Sequence, residues 1–163
     1  MRRHTGIAGL GAALLIAASV PCATALARAD FERIVDFSAT LKALAAAAAD
    51  GIVPARDRLV VLDATVAEIA VLDAEPASYR VRLDLMSGEW VGSDRVLGYH
   101  CYVDFSGPRY ADVIPARAPR EPGPGVVVPR LRLLVVALPR EIVASPLGEK
   151  RVLLDGLALR AIQ

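Results

Sequence analysis

Cysteine and histidine are nearly missing, with two of each in 163 residues. His100 and Cys101 are neighbours, and successive residues of a strand point to opposite faces, so they cannot hold one ion together; this argues against a Cys/His zinc site. The chain has no D-x-D-x-D-G spacing for calcium and no G-x-S-x-G setting around Ser87, Ser93, Ser106 or Ser145. It also lacks the G-x-x-x-x-G-K-[ST] and G-x-G-x-x-G loops that cradle nucleotide phosphates. No metal, no cofactor and no enzyme are therefore expected. Aromatic residues make up 5 % of the chain, with Trp90 the single tryptophan, and Lys42 and Lys150 are the only lysines.

The one long apolar run is at the start. Arg2 and Arg3 precede an apolar stretch from Ile7 to Val20, then Pro21 and Ala25-Leu26-Ala27 follow. This pattern predicts a cleavable secretory signal over residues 1–27 and a periplasmic or secreted protein. Left uncut, the run from Ile7 to Ala27 would be long enough for an anchor. Cleavage would remove Cys22, so Cys101 could form no internal disulfide, and burial as a small hydrophobe is its expected fate. It would also remove two of the 19 basic residues and none of the 18 acidic ones, leaving 17 against 18, a net of −1. Such a balance draws a protein neither to nucleic acid nor to an acidic membrane, and no nucleic-acid partner is expected.

Residues 28–57 read as a helix and linker. Ile34, Phe37, Leu41, Leu44 and Ala48 recur at spacings of three and four, which predicts one amphipathic helix from about Phe31 to Ala49, stopped by Asp50-Gly51. From Arg58 the period becomes two. Arg58 to Asp73 predicts a long first strand, with its alternation slipping between Val66 and Ile69 as a bulge would require. Tyr79 to Leu85 is the second strand, followed by a tight connection at Ser87-Gly88. Tyr99 to Phe105 is the third, with Tyr99, Cys101, Val103 and Phe105 inward. Leu131 to Leu138 and Arg151 to Ile162 are the fourth and fifth, the last broken at Asp155-Gly156. Six prolines between Ser106 and Arg130 make that segment a strap without helix or central strand.

Five strands, the first long and bent, predict a mainly β, five-stranded antiparallel barrel over 58–163, preceded by one helix. In strand count and order the pattern resembles an OB-fold, from Leu59 to Ile162, without the motif of any particular family; an SH3-like barrel or a small sandwich are the alternatives. The usual OB plan has a helix between strands three and four. Here the proline-rich loop 106–130 takes that place.

The resemblance directs attention to the outward face of strands two and three, where OB-folds commonly bind oligonucleotides and oligosaccharides. Arg80, Arg82, Asp84, His100, Tyr102 and Asp104 gather there, with Trp90 towards the hairpin end. Two readings stand: a solvated ladder of opposite charges, or a binding surface of Arg80, Arg82, Trp90, His100 and Tyr102. On the strap, Arg117 and Arg120 are further binding candidates, unless Val113, Ile114 and Val126 to Val128 merely close the barrel. The function expected from these features is an exported, non-enzymatic binding module of the cell envelope, meeting a protein or a glycan. Its alternatives are a small hydrolase using Asp84 and Asp104, or a structural envelope subunit.

Overall fold

The computed structural model describes residues 28–117 and 119–162, and the secretory signal expected over 1–27 lies outside them. Two helices, α1 (Arg28–Ile34) and α2 (Leu41–Asp50), replace the single expected one, with a two-residue strand, β1 (Val35–Asp36), between them. The break has a local cause. Thr40 is extended, and its hydroxyl accepts from the Ala43 N–H at 3.1 Å, which caps α2. The Asp36 carboxylate accepts from the hydroxyl and N–H of Ser38 at 2.6 and 3.0 Å, turning the chain before the cap. The apolar stripe is thereby divided: Leu41, Leu44 and Ala48 are buried, whereas Ile34 and Phe37 face solvent. Gly51, left-handed at φ 75°, ends α2.

The barrel consists of β2 (Leu59–Asp73), β3 (Arg80–Val91), β4 (Arg95–Ser106), β5 (Arg132–Ala144) and β6 (Lys150–Ala161). Their order is β2-β3-β4-β6-β5, and β2 pairs again with β5 to close the ring. A ring of five strands cannot alternate direction all the way round, so one neighbouring pair must be parallel. It is β4 and β6, joined at Tyr102–Asp104 and Leu153–Asp155. β1 adds a sixth, parallel strand beside Leu59 and Val60.

β2 serves two neighbours by bending. Val60 to Thr65 pair with β5, and Thr65 to Asp73 pair with β3, with the register shift between Val66 and Glu68 that the slipped alternation implied. The connection expected at Ser87-Gly88 is not a turn. Gly88 lies opposite Gly98 within an unbroken ladder, and Gly92, at φ 72°, begins the turn that ends at Asp94. Apolar preference alone did not carry the strands through two glycines, whereas pairing between the glycines themselves does.

Both ends of the barrel are covered. α2 packs against β4 and β6 at one. On the strap, Tyr110, Ile114 and Val127 are buried in the same core as the inward residues of the strands. Tyr79 donates its hydroxyl to the Ile114 carbonyl, and the Val127 N–H donates to Val113 at 2.8 Å. Two bulges shape the far side: Leu157 is the extra residue on β6, and Arg140 the extra residue on β5. β6 also passes so close to the core that a Cβ at Gly156 would lie 2.4 Å from the Phe105 ring.

Candidate functional site

Pairing of β3 with β4 puts Arg80 opposite Ser106, Arg82 opposite Asp104, Asp84 opposite Tyr102, Met86 opposite His100, Gly88 opposite Gly98 and Trp90 opposite Val96. Alternation places all twelve on one face, away from the core residues Val81, Leu83, Leu85, Cys101 and Val103. The sequence candidates Arg80, Arg82, Trp90, His100 and Tyr102 therefore do share a surface. Arg117 and Arg120 do not join it; both are exposed on the strap and line no part of the groove described below.

The middle of the face is a closed network of charges. Arg82 grips Asp104 with two bonds, Nε and Nη2 at 2.7 and 2.9 Å. That bidentate grip raises the Arg82 pKa, burial opposing it. Asp104 also accepts from Arg140 at 3.3 Å, and Arg140 reaches Asp155 at 2.8 Å. Asp84 accepts from Arg151 at 2.7 Å and sits 2.9 Å from Nδ1 of His100. Arg151 bonds Glu149 as well, at 2.9 Å. Tyr102 is enclosed: the guanidiniums of Arg82 and Arg151 stand 5.3 and 5.0 Å from its ring centroid, and Arg151 donates to its hydroxyl at 3.2 Å.

Two corrections follow from this geometry. Asp84 and Asp104 are not an acid–base pair waiting for substrate, because each carboxylate is buried and already bonded to two side chains, Asp104 to Arg82 and Arg140, and Asp84 to Arg151 and His100. Tyr102 offers no free ring for stacking, since it is 9 % exposed between the arginines. Arg82 and Tyr102 hold the surface in shape. Arg140, Arg151 and Glu149 were absent from the sequence candidates; the fourth strand was expected to end at Leu138, whereas β5 continues through Pro139 to Ala144 with the bulge that aims Arg140 at Asp104.

Beside the network runs a groove of about 410 Å³, bounded by Glu68, Ala70 and Leu72 of β2, by Arg82, Asp84 and Tyr102, and by Ala144, Ser145 and Pro146. Its outer lip is the β5–β6 loop. There the Ser145 hydroxyl accepts from the N–H groups of Leu147 and Glu149, and the Gly148 N–H bonds the Ser145 carbonyl at 2.9 Å. This compact loop leaves Leu147 84 % exposed. At the other end of the face Trp90 is 70 % exposed, on a paired strand rather than a loop. Between Trp90 and His100 the floor is Gly88 and Gly98.

No known family model matches the chain, and no curated protein does. Solved structures match at the level of fold. The PriB protein of Ralstonia solanacearum is 13 % identical with a TM-score of 0.39, over 64 % of this chain and 97 % of that one. A second structure of that protein gives 14 % and 0.37. A small single-stranded DNA-binding protein from Streptomyces coelicolor is 13 % identical with a TM-score of 0.39, over 64 % of this chain and 91 % of that one. By its own closed ring of five strands the chain is OB-like in fold, and it has no family assignment. By their names the proteins it is similar to are a PriB and a single-stranded DNA-binding protein, not envelope modules, so the expectations of an exported envelope function, of a periplasmic or secreted place, and of no nucleic-acid partner find no support and are withdrawn. At such scores the likeness says nothing of what this chain itself binds.

Proposed function

We propose that this domain is a non-enzymatic OB-like module that holds a single strand of nucleic acid along the outward face of β3 and β4. Trp90 is the observation that carries the reading. A large aromatic, 70 % exposed on a fixed backbone, offers a ring face on which any base can stack, a contact worth about 1–3 kcal/mol per base. Gly88 and Gly98 add no side chains of their own, and Val96 and the His100 ring lean over them, so a base stacked on Trp90 would lie against Val96 and His100 rather than on bare backbone. The groove beside the β5–β6 loop lies where OB-folds commonly take oligonucleotides.

The charge network sets the character of the binding. Arg82, Arg140 and Arg151 are already matched to carboxylates, and extracting one for a phosphate would strand its acid. Arg80, exposed at the end of the face, is the cation best placed to meet the backbone. With one or two phosphates contacted, the slope of log K against log salt should be only about −1. In these roles Trp90 and His100 contact bases, Arg80 contacts phosphate, and Arg82 and Tyr102 are positioning residues. Fluorescence anisotropy of a labelled oligothymidylate tests the reading: binding should weaken by roughly ten- to a hundredfold in Trp90→Ala, as loss of one stack implies. Equal binding by both proteins would refute it.

A further inference from the structure

We propose that the free edge of β4 pairs with the same edge of a second copy, giving a two-fold symmetric dimer. β3 borders β4 along its whole length, but on the other side β6 takes up only Tyr102 to Asp104. From Arg95 to Cys101 no strand among the described residues pairs on that side. Every second residue there turns its N–H and C=O away from β3, and although α2 packs against β4, with Lys42 over the Tyr99 ring, no backbone takes up these groups from Arg95 to Gly98 among the described residues. Natural edges of this kind are blunted by proline, bulges or charge. This one has neither proline nor bulge, its register with β3 is unbroken, and Arg95 is its one fixed charge. Arg95, Val96, Leu97 and Gly98 are all exposed.

The edge itself indicates its partner, because Arg95-Val96-Leu97-Gly98-Tyr99 is self-complementary about its centre. In an antiparallel pairing with the axis at Leu97, Leu97 faces its own counterpart and makes an apolar contact across the axis. Val96 faces Gly98 of the second copy, bulk against a residue with no side chain. Arg95, which has no ion pair among the described residues, faces Tyr99, whose hydroxyl donates to the Glu89 carboxylate at 2.7 Å. Lys42 already bonds that carboxylate at 2.7 Å and stands 5.9 Å from the Tyr99 ring, so the pairing rests on Leu97, Val96 and Gly98, each contact repeated by symmetry as an isologous interface requires. Trp90 lies directly opposite Val96 within each hairpin, so the pairing would join two outward faces into one surface. The dimer does not depend on what that surface binds.

Cysteine scanning of the full chain tests the register. Residues facing one another across an antiparallel pair have Cα atoms about 4.5–5.5 Å apart, within disulfide range. Under mild oxidation Leu97→Cys should give a disulfide-linked dimer, while Val96→Cys, whose opposite number is Gly98, should not. The buried Cys101 is common to both. Sedimentation equilibrium should show a dimer that grows with protein concentration in the wild type and is lost in Leu97→Lys, with the strand signal in circular dichroism unchanged. A wild type that stays monomeric at every concentration, or equal cross-linking at positions 96 and 97, would overturn the proposal.

Discussion

Arg151 of β6 reaches beside the Tyr102 ring to place Nη1 2.7 Å from the Asp84 carboxylate of β3, and both residues are buried. A buried pair of this kind is strongly sensitive to the loss of one partner, because the other is left charged without compensation. Asp84→Ala leaves Arg151 only the exposed Glu149 as a counter-charge and takes the partner of His100 Nδ1, and should cost about 3 kcal/mol in denaturant unfolding. Replacing both Asp84 and Arg151 by leucine should cost less than the single change. Arg132 and Asp63 make an equally short contact, 2.6 Å, but with side chains 62 % and 44 % exposed. Asp63→Ala should therefore move stability by no more than about 1 kcal/mol.

Gly156 is fixed by a close approach rather than by its backbone angles, since an added methyl would meet the Phe105 ring at 2.4 to 2.6 Å. Gly156→Ala should destabilise the barrel by about 1–3 kcal/mol, the usual range for overpacking. Phe105→Leu in the same chain makes room for the methyl. Chemical denaturation of the two single variants and the double variant should show a double less impaired than the sum; strict additivity would mean that the ring is not the obstacle.

Cys101 has its thiol pushed up from 9.0 to about 12 by burial, with the Asp84 charge adding to the shift and Arg151 opposing it. In the unfolded chain the thiol ionises above about pH 9, while in the folded protein it stays neutral. The resulting stability is complete below that pH and is lost as pH rises from 9 towards 12, at about 1.4 kcal/mol per unit. Subtracting the pH profile of Cys101→Ala from that of the wild type should isolate this slope. Native protein at pH 8 should also resist alkylation, and rapid modification without unfolding would contradict the burial.

Period-two alternation made the strands and their inward residues legible in the sequence, because Val81, Leu83, Leu85, Cys101, Val103 and Phe105 are buried by a local rule. The bend in β2 was legible for the same reason: its alternation slips where the bulge lies. The break at Val35–Asp36 was hidden, since an unbroken apolar stripe runs through it and the deciding bonds come from Thr40 and Ser38. The candidate face was found, but its state was not. Arg80 and Arg82 look alike in the sequence, and only the register that sets Arg82 against Asp104, together with a bulge that brings Arg140 from a distant strand, separates an exposed cation from a neutralised one.

Trp90 is the only tryptophan of the chain, so its emission reports on the proposed stacking surface alone. Titrating the protein with oligothymidylate should quench that emission saturably, and a fourfold rise in salt should move the titration midpoint by only about fourfold, in keeping with a slope of about −1. Emission unchanged at concentrations where the oligonucleotide is bound, or no binding at any salt, would contradict the assignment of this face to a single strand of nucleic acid.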